Sequence, residues 1–381
     1  MKKITPIIYT NEFGQRVIIK RTLFENEIAT KEKLLLLAKF LNHYNILKSK
    51  LLKLNNASCF FKVYNYGFKI CLEGRLLQNE DTNSILASYQ SKKTIKLFTD
   101  IYKNGFEKNS PLLETLKKEI LVEFEDRDKD SLSNLLSLLQ MPYSKVNLEK
   151  DKILNTSMSD IFSILSSLLK QDKSDYLFIG KKKIDLEKID KEHIFVDNID
   201  NVPLDYTPVD NIIYNPLFLN ETMIETYSFN SINDYFSLYK VMVSLKAISI
   251  SVEQALSSLY IKCHSSINII SKNKAYISYK FENDSLYKNN NRILSITSTI
   301  SSNTLMSNLD EAIRNIKLSQ ISLNSDLSLA IKRALLLKDI QILNLEMFDD
   351  ININKEEVIS TLNEVNELNT FLAMKGKVNN D

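Results

Sequence analysis

The chain has 381 residues, of which 44% are hydrophobic and 25% are charged, a composition typical of a folded protein with room for two domains of about 150 to 200 residues. Its 49 lysines and arginines almost balance 47 aspartates and glutamates, so the net charge of +2 argues against a nucleic-acid partner. No two of its six glycines lie close enough together for a glycine-rich phosphate loop or a G-x-S-x-G nucleophile elbow.

The first half of the chain alternates between strand-like and helix-like patterns. Thr30 is a suitable N-cap for a run of apolar residues at helical spacing that extends to Tyr44. Residues 58–75 are rich in aromatic and β-branched side chains around a turn signal at 65–67, which predicts a β-hairpin. In chain order, the patterns predict strands at 4–9 and 16–24, helices at 30–44 and 48–55, the hairpin, helices at 83–103, 111–140 and 157–170, and a strand at 176–180.

The second half repeats this order after an irregular stretch that contains three of the six prolines. We therefore predict an α+β fold of two similar domains, each a mostly antiparallel sheet packed with several helices. The predicted boundaries are 1–190 for the first domain, 191–220 for a linker and 221–381 for the second domain. The patterns of the second half predict a strand at 223–229, helices at 232–248 and 252–262, a hairpin at 266–271 and 275–282, a strand at 292–300, and helices at 304–318, 323–347 and 355–375.

Targeting signals and cysteine usage indicate the compartment. The N-terminal sequence MKKITPIIYTNEFGQRV has no apolar run like that of a secretory signal, and no segment approaches the roughly 18 apolar residues of a membrane-spanning helix. We therefore expect a cytoplasmic protein with no membrane partner. Cys59, Cys71 and Cys263 form no C-x-x-C pair, so we expect free thiols and neither disulfides nor zinc ligands.

Three stretches of sequence carry a resemblance to a known family. Residues 51–67 (LLKLNNASCFFKVYNYG) place an Asn-Ala pair between a leucine-rich helix and the hairpin, and residues 117–125 (KKEILVEFE) form an acidic helix pattern. Residues 255–267 (ALSSLYIKCHSSI) form a second helix pattern. Together with the element order of both halves, these stretches resemble the insulinase and pitrilysin family of inverzincin metallopeptidases and their inactive relatives.

The zinc motif of that family is missing. An active member resembling this chain would carry H-x-x-E-H on its first long helix, where two histidines hold zinc and the glutamate activates water. That helix has only His43 here, and neither His193 nor His264 lies within one helical turn of another histidine. We therefore assign no catalytic residue, no metal ligand and no cofactor to this chain. We expect Glu119 and Glu123, near the third zinc ligand of the family, to be solvated or salt-paired.

The resemblance implies a peptide-binding edge. In the family, a peptide adds as a strand to the sheet edge that begins near the Asn-Ala pair, here Asn56, Ala57 and Ser58. His264 stands where active members present an arginine to the substrate, so it is the other candidate for substrate binding. A plain helix-to-strand turn and a half-buried histidine at a helix end also explain these residues, and both interpretations stay open.

Three functions of different classes are compatible with the sequence. As a non-catalytic subunit, the chain would pair with a zinc-bearing relative that carries H-x-x-E-H, and the heterodimer would process peptides. Leader removal from a ribosomally made bacteriocin-like peptide is one such reaction. As a stand-alone peptide-binding scaffold or chaperone, the chain would act without catalysis. An enzyme of unrelated chemistry is a third hypothesis, but no spacing pairs a nucleophile with a base.

The helix at 323–347 is apolar on more than one face, which suits either an interface or the core.

Overall fold

The computed structural model contains two compact units, and each unit takes chain from both halves of the sequence. The first contains Met1–Phe124, Gln140–Leu204 and Leu327–Leu335, and the second contains Glu125–Leu139, Asp205–Asp326 and Leu336–Asp381. The predicted domain boundaries at 190 and 221 stay predictions. The structure describes residues 8–9, 15–25, 31–44, 50–54, 57–67, 69–79, 96–103, 111–127, 129–170, 174–179, 211–282, 285–340, 342 and 354–376.

The described part of the first unit contains a five-stranded sheet made of β1 (Ile8–Tyr9), β2 (Gln15–Glu25), β3 (Ala57–Tyr66), β4 (Lys69–Asn79) and β5 (Ser174–Ile179). The strand order is β1-β5-β2-β4-β3, and neighbouring strands are antiparallel except β1 and β5. β3 lies at one edge and forms a hairpin with β4. Gly67 follows β3 with a φ of 60°, a conformation that glycine adopts without strain.

Helices pack on one face of this sheet. α1 (Lys31–His43) buries a leucine-rich stripe at helical spacing, including Leu34, Leu37 and Leu41. Phe61 of β3 contacts the rings of Phe98 and Tyr102 in α3, whose described part is 96–103. The other helices before β5 are α2 (Leu52–Leu54), α4 (Leu112–Arg127), α5 (Ser131–Leu138), α6 (Lys150–Asn155) and α7 (Met158–Lys170).

The described part of the second unit contains a sheet of the same design, made of β6 (Ile212–Tyr214), β7 (Glu221–Ser228), β8 (Cys263–Ile269), β9 (Lys274–Phe281) and β10 (Asn366–Met374). The strand order is β6-β10-β7-β9-β8, with β6 and β10 parallel and the other neighbours antiparallel. β8 lies at the edge, as β3 does in the first sheet. The prediction of an α+β fold with two similar, mostly antiparallel sheets is confirmed.

The helices of the second half are α8 (Tyr235–Ser257), α9 (Ser285–Thr297), α10 (Ser302–Ser307), α11 (Leu309–Ser325), α12 (Leu327–Asp339) and α13 (Lys355–Glu364). α8 is long and apolar enough to cross a membrane by length and composition, but 61% of that stretch is buried, which is typical of a core helix. α5 belongs to this unit and packs on β7 and β10, where the Ser131 hydroxyl lies 2.7 Å from that of Thr222. Most apolar side chains of α12 are buried, so they are core residues.

Several element predictions in the second half are wrong. Residues 292–297, predicted as strand, belong to α9, and residues 366–374, predicted as helix, form β10. β10 is a strand because its apolar end, 371–374, is buried between two neighbouring strands. The two helices predicted at 232–262 are the single helix α8, whose internal serines are satisfied by backbone carbonyls, as when the Ser251 hydroxyl donates to the Ala247 oxygen.

Candidate functional site

The edge strand β3 is bonded on its outer side by a side chain from α1. The Phe61 N–H donates to Asn42 Oδ1 at 2.7 Å, and Asn42 Nδ2 donates to the Phe61 carbonyl at 2.7 Å. Since main-chain groups of an antiparallel strand alternate between its two sides, those of Ala57 and Cys59 face the same edge as those of Phe61. Among the described residues, none bonds Ala57 or Cys59 on this side.

Further along β3, the same edge is closed by main chain. The Asn65 N–H donates to the Ser144 carbonyl at 2.9 Å, and the Tyr143 N–H donates to the Asn65 carbonyl at 2.9 Å. With Asn42 in the middle and this segment at the far end, the part of the edge that can accept an added strand is its beginning, at Ala57 and Cys59.

The substrate-binding residues predicted from the sequence lie in both units. Ala57 and Ser58 begin β3, half-buried and exposed respectively, and Asn56 lies outside the described residues. His264 lies on β8 and not at a helix end, which corrects the helical interpretation of residues 255–267. β8 alternates between half-buried and exposed positions, as a strand with one covered face does. The side chain of His264 is 80% exposed, and its Nε2 lies 3.7 Å from Glu282 Oε1. The structure does not test whether these residues bind a substrate.

Beside Asn42, α1 and α4 present two ion pairs. Lys39 Nζ pairs with Glu123 Oε1, and His43 Nε2 lies 3.2 Å from Glu119 Oε2. Lys39 and His43 are one turn apart on α1, and Glu119 and Glu123 are one turn apart on α4, so the four side chains face one another in two rows. The expectation that the two glutamates are salt-paired agrees with this geometry, with the pairing of Glu119 requiring a protonated His43.

The sequence interpretation missed Lys39 and Asn42, although a signal was present. Lys39-Phe-Leu-Asn-His43 has the spacing of H-x-x-E-H, with lysine at the first histidine position and asparagine at the glutamate position. Searching for the motif by its residue types hides this match, whereas searching by its spacing finds it.

The residues at this position do not fit a zinc site. A protonated lysine ammonium has no lone pair for a metal, and an asparagine amide cannot take a proton from water as a general base. Among the described residues, no group of three or more His, Cys, Asp or Glu side chains is arranged to hold a metal ion. The arrangement can bind main chain through Asn42 and cross-link two helices, but it offers no metal-activated water.

The opposite face of the first sheet carries a buried charge cluster next to the edge. Tyr64 donates to Glu73 Oε2 at 2.7 Å, Lys62 lies 3.3 Å from Glu73 Oε1, and Arg75 Nε donates to the same oxygen. Burial alone would raise the pKa of Glu73, but the charges of Lys62 and Arg75 and the tyrosine hydrogen bond hold it below its ordinary value. Arg75 also lies over the ring of Phe60, which is 40% exposed on β3. Aromatic and cationic side chains therefore flank the open part of this edge.

The second sheet has its own edge contact and its own buried carboxylate. The Ser265 N–H of β8 donates to Glu253 Oε1 of α8 at 2.6 Å. On β7, Tyr227 donates to Glu225 Oε2 at 2.6 Å. Burial raises the pKa of Glu225 to about 7, and the charge of Glu367 adds to the effect.

No family model and no curated protein matches the sequence. Solved structures match the fold over nearly the whole chain. A conserved protein from Enterococcus faecalis V583 has a TM-score of 0.62 and 12% identity, covering 98% of this chain and 96% of that one. An inactive domain of an M16 peptidase from Pseudomonas fluorescens has a TM-score of 0.58 and 10% identity, covering 96% and 93%. A putative M16-like peptidase from Alicyclobacillus acidocaldarius has a TM-score of 0.55 and 9% identity, covering 96% and 94%.

These structures share their architecture with both units of this chain. The chain therefore has the M16-like, insulinase-type fold that its sequence resembles, and at identities near one residue in ten the likeness concerns the fold alone.

Proposed function

We propose that this chain is a non-catalytic, cytoplasmic subunit of a heterodimeric zinc peptidase. The observation that supports the proposal is the set Lys39, Asn42 and His43, which has the spacing of a peptidase zinc motif without its first histidine or its general base. In this proposal the zinc belongs to the partner, a relative carrying H-x-x-E-H. The pair processes peptides, with leader removal from a ribosomally made bacteriocin-like peptide as the specific reaction.

The contribution of this chain is to bind the peptide main chain. A short extended segment pairs with the outward-facing groups of Ala57 and Cys59, and Asn42 ends the pairing at Phe61. Side chains of the peptide on one face then lie near Phe60 and Arg75. The same geometry supports a second function, a peptide-binding scaffold without a catalytic partner, because strand addition needs no metal.

The test is affinity purification of the protein from the cells that make it, with the stoichiometry, zinc content and bound peptides of the eluate determined on one sample. An equimolar partner carrying H-x-x-E-H and zinc, with peptide cleavage only when both chains are present, supports the heterodimer. Elution of the chain alone, free of zinc, contradicts the heterodimer, and peptides in that eluate then support the scaffold.

A substitution at the edge tests peptide binding in either case. Ala57→Pro removes an N–H that faces the open edge and leaves the ladder to β4 intact, since proline is tolerated at the first position of an edge strand. Ala57→Val is the matched control, because it adds a side chain and keeps the N–H. We expect A57P to lose the co-purified peptide and A57V to keep it. Equal retention by both folded variants contradicts binding at this edge.

A further inference from the structure

The face of the first sheet that carries the Glu73 cluster continues to the open edge of β3. In a strand added beside Ala57 and Cys59, one residue lies directly opposite Phe60 and points to the same face as the Phe60 ring. Directly opposite side chains have Cβ atoms about 4.5–5.5 Å apart, and diagonal neighbours lie about 7–8 Å apart. The peptide residue opposite Phe60 is therefore a direct neighbour of that ring and a diagonal neighbour of Lys62.

The charges around Phe60 are not balanced. Among the described residues, Glu73 is the one acidic partner of both Lys62 and Arg75, so two cations share a single carboxylate. Burial is the main cause that lowers the pKa of Lys62, the charge of Glu73 opposes it, and the charge of Arg75 adds to it. A second carboxylate beside this cluster would compensate the remaining positive charge.

Both cations lie within reach of the edge. The guanidinium carbon of Arg75 lies 5.6 Å from the centroid of the Phe60 ring, so the Arg75 side chain extends from β4 across to β3. Its Nε donates to Glu73, which leaves the two terminal nitrogens of the guanidinium for another acceptor. Lys62 belongs to β3 itself, and its side chain is 37% exposed.

We propose that this edge selects peptides with an aspartate or glutamate opposite Phe60, and that Lys62 and Arg75 determine this preference. The inference rests on the proposed binding of peptide main chain at Ala57 and Cys59, and it names the substrate class of that site. Main-chain pairing accepts almost any sequence, so side-chain specificity has to come from groups that flank the edge. Here those groups are an exposed aromatic ring and an under-compensated pair of cations.

The experiment begins with a library of short random peptides displayed on phage and selected on the folded full-length chain. We expect an acidic residue to be enriched at one position of the selected peptides. One selected peptide is then synthesised with glutamate or glutamine at that position, and both dissociation constants are measured by fluorescence anisotropy. The glutamate peptide should bind about three- to fivefold more tightly, and the difference should shrink at high salt because salt screens exposed charges.

Substitutions of one cation identify the source of the preference. Lys62→Gln should reduce the glutamate preference to less than about twofold, because the charge of Arg75 is then balanced by Glu73. Lys62→Arg keeps the positive charge and should keep the preference. Lys69→Gln is the matched control, because Lys69 is an exposed lysine on the same face at the far end of the hairpin.

The outcomes separate this inference from the edge site on which it rests. The inference is overturned if peptides that bind A57V but not A57P show no acidic preference, or if K62Q and K69Q keep that preference equally. Binding at the edge stands in both cases. Selected peptides that bind A57P as tightly as A57V contradict the edge site, and the inference fails with it.

Discussion

The two sheets have the same strand order but differ in the chemistry beside their open edges. β3 is bonded at Phe61 by the neutral amide of Asn42, and β8 is bonded at Ser265 by the carboxylate of Glu253. A side chain from a helix that precedes the edge strand in the chain thus protects each edge, although the side chain itself differs. Protection of the edge strand by a helix side chain is therefore common to both sheets.

The buried carboxylates show the same contrast. Glu73 in the first sheet has two cations and a tyrosine hydroxyl around it, and its pKa is lowered. Burial raises the pKa of Glu225 in the second sheet to about 7; the hydrogen bond from Tyr227 opposes this rise and the charge of Glu367 adds to it. The same residue type in similar sheets is therefore ionised in one and largely neutral below pH 7 in the other.

The largest expected effect on stability is at Glu73, the ionised carboxylate of the first sheet. Glu73→Gln leaves Arg75 and Lys62 beside a buried neutral amide, so we expect a loss of roughly 3–4 kcal/mol in the free energy of unfolding. Urea unfolding at pH 7, with hydrogen exchange of β4 to locate the change, measures it. Glu114→Gln is the control, because Glu114 is 71% exposed in its pair with Lys117 and should cost under about 0.5 kcal/mol. Equal costs for the two variants would show that the buried charges around Glu73 contribute no more to stability than an exposed ion pair.

The next effect is a pH dependence in the second unit. Because the pKa of Glu225 is raised in the folded state, its contribution to stability is fully present below the unfolded pKa and is lost as the pH rises through about 7. We expect the free energy of unfolding to fall by about 2–3 kcal/mol between pH 5 and 8 through this group. Glu225→Gln should remove that slope, as measured by urea unfolding across the range. If the free energy of unfolding of E225Q falls with pH as steeply as that of the wild type, Glu225 is not the group responsible.

A smaller effect concerns the edge contact of β3. Asn42→Ala removes two hydrogen bonds to Phe61, and we expect a loss of about 1–2 kcal/mol with faster hydrogen exchange of the Phe61 amide. Asn42→Asp keeps the acceptor for the Phe61 N–H and should preserve more of its protection than N42A does. Glu253→Ala should have the corresponding effect on the Ser265 amide of β8. Unchanged exchange at Phe61 in N42A would show that Asn42 does not protect this edge.

The smallest effect on stability is expected at His264. Its side chain is 80% exposed, so His264→Ala should change the free energy of unfolding by less than about 0.5 kcal/mol. If His264 binds substrate as predicted, the complex of the folded variant with the zinc-bearing partner should cleave peptide more slowly than the wild-type complex does. Ser266→Ala, at another exposed position of β8, is the matched control. Equal rates for the two variants contradict a substrate-binding role for His264.

Sequence patterns predicted the fold where local signals are strong and missed it where tertiary contacts decide. The leucine stripe of α1 and the aromatic hairpin β3–β4 have clear periodicity, and both elements lie where they were predicted. β10 has no such signal, because it is a strand only through the neighbours that bury residues 371–374.

The candidate site shows the same division. The absence of the zinc motif could be read from the sequence, because spacing and residue type are local, whereas the edge near Ala57 was only implied by the family resemblance. The bonds of Asn42 to Phe61 and of Lys39 to Glu123 join residues distant in sequence, so only the folded arrangement shows them. The raised pKa of Glu225 likewise results from burial in the folded protein, and the sequence of the strand does not predict that this glutamate is buried.

The central proposal is that this chain has an M16-like fold but does not carry out zinc-dependent peptide hydrolysis by itself. The most direct test is to measure zinc content and peptide hydrolysis on the purified wild-type chain alone, after loading with zinc and dialysis. The account predicts that zinc stays at the background level and that hydrolysis is no faster with zinc than with a chelator. About one tightly held zinc per chain, with hydrolysis that a chelator abolishes, would contradict it.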